Sequence, residues 1–427
     1  MTTVYFSARS GHQLVRFALL LASVVVKAQP PPVGQPLSGW QKGYLDIHQI
    51  STGRGNATFA ILPDGTTLLI DAGAVNPLDW RTGLPRDLSN KPNNGRQPGE
   101  WIARYIRKCL AFRQKPVIDY AVLTHFHDDH VGSPVLANKK TSGSYALTGI
   151  SEVAEHIPIR KILDRGWPDY RYPVSLANDS VVVNYRRFLT QHIRANGLSV
   201  ERFRAGSTDQ IRLLKRSAAY GNGFEIRNVA VNGDLWVGQG RATRPLFPAL
   251  ADLPFPHYPT ENMCSIVLRI RYGAFDYFTG GDIPGVQPSG LPAWHDLETP
   301  IAAVAGPVDV LLLNHHGHED AQNGTLLATL RPRVMVIPVW HASHPAPSVL
   351  ERAFSRQLYP GDRDVFATGL LNATRQSLGE LTSRLKSTGG HIVIRVKPGG
   401  ESYQILIVDD NDEQQRVKAI HGPYRSK

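Results

Sequence analysis

The stretch "LTHFHDDHVGS", Leu123 to Ser133, decides how this chain is read. It sets His125, His127, Asp129 and His130 in the pattern H-x-H-x-D-H. The residues leading into it, "VIDYAVL", are apolar with strand character, so a buried strand ends here and delivers a loop of donors. Neutral imidazoles and a carboxylate are the ligands that zinc and similar borderline ions prefer. His125 and His127, one residue apart, can turn from a tight loop toward one ion. Asp129 and His130 can reach a second ion beside it. Such a pair holds a bridging water, lowers its pKa and polarises a carbonyl or phosphoryl oxygen. The alternative is a polar surface loop with chance histidines. Four donors at this spacing directly after an apolar strand weigh against it.

Working outward, other polar groups stand at strand ends. "GRGNATFAILPDGTTLLIDAG", Gly53 to Gly73, reads as a hairpin turning at Pro63 to Gly65, with Asp71 directly after its second apolar run. Alone, Asp71 is a turn residue; beside the metal loop it becomes a carboxylate that orients a ligand histidine. "ENMCSIVLRIRYGAFDYFTGGDIPG", from Glu261, predicts a hairpin about Tyr272 to Ala274 that ends in Gly280, Gly281 and Asp282. "VDVLLLNHHGHEDAQN" predicts a buried strand ending in His315, His316 and Gly317. "PRVMVIPVWHASHPAPSVLERAF" predicts a strand, a polar loop bearing Trp340, His341 and His344, and a helix.

"THFHDDHVG" resembles the signature of the metallo-β-lactamase superfamily of metal hydrolases. The Gly53–Gly73 stretch, "HHG" and "HPAPSVLERAF" are similar to the metallo-β-lactamase domain of ComEC-type DNA-uptake proteins. That family usually has Asp where this chain has Asn56, and Ser where it has His318. The resemblance covers roughly 42–135 and 260–355. It implies a four-layer αββα sandwich with the metals at one edge, and a bridging carboxylate at Asp282. It also implies two divalent ions, zinc or alternatively manganese. His125 and His127 would hold the first ion; Asp129, His130 and one of His315 and His316 would hold the second. Asp71, Asn262, His344 and Asp129 are the candidates for catalytic roles on or beside substrate. Many superfamily members place a third histidine for the first ion where this chain reads Thr260, Glu261 and Asn262. Three readings stay open there: Glu261 is a ligand, Asn262 meets substrate, or the first ion has fewer protein ligands.

The implied activity is hydrolysis by a metal-bridging hydroxide, with no covalent protein nucleophile. A phosphodiester or other small anionic substrate, nucleic acid included, fits the ComEC-type resemblance and the net charge of +11. Esters, lactones or β-lactams at the same site are the alternative. A non-catalytic metal-binding module of an envelope or DNA-uptake system is the second alternative.

The 427 residues are enough for two domains or one large α/β domain with insertions, and 42% hydrophobic against 19% charged content is that of a globular chain. Arg9 and Arg16 precede "FALLLASVVV", whose length suits a signal-peptide core and is too short to span a bilayer. The expected division is a signal peptide at 1–28, a linker at 29–41, the hydrolase domain at 42–411 and a charged tail at 412–427 expected to fray. Export to a periplasm or outside follows. A helix is expected over Gly99 to Phe112, and 134–225 reads as an insertion beside the site. That insertion holds a helical run near Tyr185–Asn196 and a strand-like "DQIRLL"; Trp167, Tyr170 and Tyr172 in it read as packing residues. Cys109 and Cys264, the two cysteines, read as small buried hydrophobes.

Overall fold

The computed structural model describes residues 32–76, 86–135, 141–215, 217–288 and 290–427. The expected signal peptide and the first residues of the linker lie outside them. The strands β1 (Leu45–Gln49), β2 (Thr58–Ile61) and β3 (Thr67–Ile70) form an antiparallel meander around the Pro63–Gly65 turn. Helix α1 (Pro98–Cys109) leads to β4 (Ile118–Leu123), parallel to β3. One turn, α2 (Asp128–Val131), follows the histidine loop. A small ribbon of β5 (Thr141–Ser142) and β6 (Tyr145–Ala146) precedes α3 (Gly149–His156). Then β7 (Ile159–Asp164), α4 (Ser180–Asn196) and β8 (Ser199–Arg202) extend the parallel side of the sheet.

Residues 134–225 therefore correct the expectation of an insertion. They supply two strands of the first sheet and two helices that cover it. "DQIRLL" forms no strand; its Ile211 instead plugs the space between the sheets.

The second half opens with β9 (Phe224–Val231), β10 (Asp234–Trp236) and β11 (Thr243–Pro245), all antiparallel. The hairpin of β12 (Val267–Tyr272) and β13 (Phe275–Thr279) comes next. From there parallel strands alternate with helices: α5 (Glu298–Ala305), β14 (Val310–Leu312), α6 (Gly324–Leu330), β15 (Val334–Ile337), α7 (Pro347–Phe354), β16 (Asp364–Ala367), α8 (Asn372–Leu378) and β17 (Ser387–Thr388). The chain then returns to the first sheet with β18 (His391–Val396), β19 (Ser402–Val408) and β20 (Val417–Arg425). β18 pairs with β1, and β20 borders β19, so the tail expected to fray is an edge strand. The two sheets run β20-β19-β18-β1-β2-β3-β4-β7-β8 and β11-β10-β9-β12-β13-β14-β15-β16-β17.

Alternation along the strands makes the layers. In β4, Tyr120 and Val122 face the second sheet while Ala121 and Leu123 face the helices. In β15, Val334 and Val336 face the first sheet while Met335 and Ile337 face the other way. Three large apolar cores result among the described residues, with a small fourth cluster of Val393, Leu406, Val408 and Val417 on β18–β20. One lies between the sheets; one joins the first sheet to α1, α3 and α4; one joins the second sheet to α5, α6 and α7. That is a four-layer αββα sandwich. Strands buried on both faces read as near-continuous apolar runs, which is why "YAVL" and "VMVI" carry no polar residue.

Candidate metal centre

The polar cluster forms where the carboxyl ends of β3 and β4 meet those of β13, β14 and β15. Open α/β sheets bind ligands at such ends. The two halves are tied together there by Ile266 N–H, which donates to the Thr124 carbonyl (2.9 Å); within the second half His315 N–H donates to that of Gly281 (3.0 Å). The loop of β3 is pressed against the ligand turn. A Cβ on Gly73 would lie 1.9 Å from the Asp129 carbonyl oxygen, and one on Gly55 2.3 Å from it, so only glycine fits at either place. Asn56 N–H donates to that same carbonyl at 2.8 Å.

Two groups of donors converge. Asp129, His130, Asp282 and His316 bring one ligand atom each within 4.8 Å of one another, as do His125, His127 and Asp129. His125 Nε2 and His127 Nδ1 are 3.1 Å apart. His316 Nε2 lies 2.9 Å from Asp129 Oδ2 and 3.2 Å from His130 Nε2. Asp282 sits between the groups and divides its oxygens. Its Oδ1 is 3.1 Å from His130 Nε2 and 3.6 Å from His316 Nε2; its Oδ2 is 3.8 Å from His125 Nε2. All of these residues are buried except His127, which is exposed.

The rings are held from behind. Asp71 Oδ2 accepts from His130 Nδ1 at 2.7 Å. The same carboxylate accepts from Thr124 N–H and Oγ1 (2.8 Å each) and from Asn56 Nδ2 (3.0 Å). His316 Nδ1 donates to the Pro338 carbonyl at 3.0 Å. A carbonyl only accepts, so a proton sits on Nδ1 and Nε2 is the nitrogen turned to the cluster. Asp71, His315 and His316 all have left-handed backbone (φ 60°, 47° and 55°). For residues other than glycine such strain persists where the surroundings fix it, and it gathers at functional sites.

The electrostatics call for a cation. Burial, the largest single influence, would raise Asp129 and Asp282, yet the surrounding histidines together, His130 foremost and then His316, outweigh it and hold both well below the usual carboxylate range. Burial would lower His130, and Asp282, Asp129 and Asp71 outweigh it and push the ring well above its usual value. His316 goes up to about 9 on the same balance, burial being outweighed by Asp282 and Asp129. Without a metal, protons on these rings neutralise the carboxylates. Burial, with His130 next to it, keeps His125 neutral and ready to ligate. The donor set, imidazole nitrogens with two buried carboxylates, is one that fits divalent zinc. Asn262 Oδ1, buried at the same spot, has no hydrogen-bond partner among the described residues.

Glu261 corrects an expectation. It does not join the cluster. Its carboxylate pairs with Arg165 through both oxygens, Oε1 at 2.7 Å from Nε, and Oε1 also accepts from Phe126 N–H at 2.8 Å. Arg165 is fully buried, and an unpaired guanidinium there would be very costly, so the carboxylate goes to it. His344 is buried outside both donor groups, its ring stacked on His316 at 4.9 Å and 20°. Burial and the nearby His316 keep it well below its usual pKa. Trp340 meets His316 edge-on at 5.8 Å. Thr124, Asp320 and Pro338 were not singled out by the sequence. Only Thr124, inside the histidine motif, carried a signal that could have marked it.

No family model matches the chain, and no curated protein matches it in sequence. Similar solved structures include a Parabacteroides distasonis protein named provisionally as a metal-dependent hydrolase. That likeness has 11% identity over 77% of this chain and 94% of the other, with a TM-score of 0.34. Another is zinc-bound PqqB from Methylobacterium extorquens, at 14% identity over 68% and 88%, with a TM-score of 0.32.

Proposed function

We propose that this chain is a metal-dependent hydrolase of the metallo-β-lactamase type, acting on phosphodiesters. One observation carries the reading: Asp282 turns one oxygen toward His130 and His316 and the other toward His125. A buried carboxylate placed in this way would offer one oxygen to each of two ions. On this reading Asp129, His130 and His316 hold the second ion, and His125 and His127 belong to the first. Two bound divalent ions supply a water nucleophile at neutral pH and neutralise charge on the substrate's oxygens.

The residues around them do the positioning. Asp71 keeps the His130 proton on Nδ1 and the ring in place. Pro338 does the same for His316. His344 and Trp340 wall the second-ion side with rings and keep bulk water from His316. Asn262, with its amide at the first-ion side, is placed to orient substrate.

A phosphodiester is favoured by charge. Helix α4, which packs on α2, has no acidic residue between Ser180 and Asn196 and exposes Arg186, Arg187 and Arg194. These arginines line an open groove of about 710 Å³. A basic helix next to the ligand turn suits a polyanionic substrate such as nucleic acid. Export completes the proposal, on the Arg-flanked apolar run before Ala28.

The test is hydrolysis of bis(p-nitrophenyl) phosphate by protein loaded with zinc or manganese, with Asp129→Ala alongside. Turnover that needs metal and vanishes in the variant supports the reading. Bound metal without turnover on any phosphodiester, but with turnover on a lactone or ester, overturns the substrate class.

A further inference from the structure

The first ion is short of ligands as described. His125 and His127 give it two imidazoles, and Asp282 Oδ2 a shared carboxylate. Zinc sites with an open position usually have three protein ligands of their own. Glu261 is taken by Arg165. His315 Nε2 lies 3.8 Å from Asp282 Oδ2, and Asn262 Nδ2 meets that Nε2 at 3.3 Å.

We infer that His315 supplies the third imidazole of the first ion, its ring held by Asp320, so that the adjacent histidines divide between the two ions. The inference rests on the two-ion reading above. His315 Nε2 is 3.8 Å from Asp282 Oδ2, the same oxygen that lies 3.8 Å from His125 Nε2. Ligand bonds of about 2 Å set tetrahedral edges of about 3.3 Å, so small closures would bring these atoms onto one ion. Asp320 Oδ1 accepts from His315 Nδ1 at 2.7 Å, which fixes a proton on Nδ1; the Nε2 lone pair, on the Asp282 side, accepts from Asn262 Nδ2 in a long bond of 3.3 Å that an ion at Nε2 would displace. His130 and Asp71 show the same arrangement on the other ion. The backbone explains how neighbours can part: His315 and His316 are both left-handed, and their rings stand 6.4 Å apart at 58°. Imidazole is also the better zinc ligand than the Asn262 amide.

A competing use of His315 is a separate ion held with His318 and Asp320, which also lie within reach of one another. There both rings present Nδ1 to Asp320 Oδ1, His318 at 3.0 Å. An ion would need the lone pairs that those hydrogen bonds exclude.

The experiment counts zinc per chain by mass spectrometry after dialysis, and reads coordination from cobalt absorption. Expected are two ions in the parent, one in His315→Ala, one in His316→Ala, one in His125→Ala/His315→Ala and none in His315→Ala/His316→Ala. Asp320→Asn is expected to weaken one ion about 10- to 100-fold and leave the other unchanged. It decides the matter if His315→Ala does not fold, as judged by circular dichroism. Two ions of unaltered affinity in both His315→Ala and Asp320→Asn overturn the inference, and so do three ions in the parent. A parent that binds no zinc fails the two-ion reading instead.

Discussion

Asp71 and His130 meet through a 2.7 Å hydrogen bond at a point where neither is exposed to water. Asp71 also gathers Thr124 and Asn56, so one carboxylate fixes the ring, the start of the histidine loop and the β1–β2 connection. Asp71→Ala is expected to weaken zinc at the second ion about 10- to 100-fold, because a ligand ring loses its anchor. A chelator competition titration checks this. Unaltered affinity would show that His130 is held by packing alone.

Glu261→Ala is expected to separate stability from metal. Removing one member of a buried ion pair costs about 3–5 kcal/mol, since Arg165 keeps its charge without a counterion. Urea unfolding should show that loss while zinc per chain stays the same. Loss of an ion with stability intact would return Glu261 to the ligand set.

Metal uptake is expected to release protons. The carboxylates outweigh burial and hold His316 at about 9 without metal, so a ligating ion must displace its proton. Zinc affinity should fall as pH falls, about tenfold per pH unit for each proton displaced. Calorimetry in buffers of different ionisation enthalpy measures the number released. Binding with no proton release contradicts the charge balance of the cluster.

Acid should destabilise the fold away from the site. Burial, partly opposed by nearby acids, pushes both His48 and His391 down to about 4. Their unfolded value is about 6.5, so between these limits the unfolded chain binds protons that the folded chain refuses. Stability is full above about pH 6.5 and drops as pH falls through 4, by up to about 3 kcal/mol for each ring. Urea midpoints of the metal-free protein at pH 7.5, 6 and 5 test this. His48→Gln should flatten the slope; an unchanged slope would count against it.

Much of the fold could be read from the chain because its signals are local. The Pro63–Gly65 and Tyr272–Ala274 turns, the apolar runs and the donors at their ends each lie within about ten residues. The four donors of the histidine loop and Asp282 come together as the strand-end reading requires. What escaped depends on distant pairing. Arg165 lies 96 residues from Glu261, and nothing near "PTENM" tells which charge that carboxylate meets. The choice between His315 and His316 turned on which ring reaches Asp129 and His130, which two adjacent histidines do not encode. β20 is mostly solvent-facing and holds Gly422 and Pro423, which suit an edge, and only β19 beside it turns that stretch from a tail into a strand.

The pairing of β1 with β18 bears on how the molecule is made. Leu45 stands opposite Val396. A chain that emerges amino end first, from a ribosome or a translocation channel, presents both histidine loops before β18 exists. Until then β1 is an open edge in the middle of the first sheet, able to pair with another chain. The donors can meet early, but the wall behind them closes late. Newly made protein is therefore most vulnerable to misassembly after its metal ligands are out and before β18 arrives, an interval set by topology rather than by chemistry.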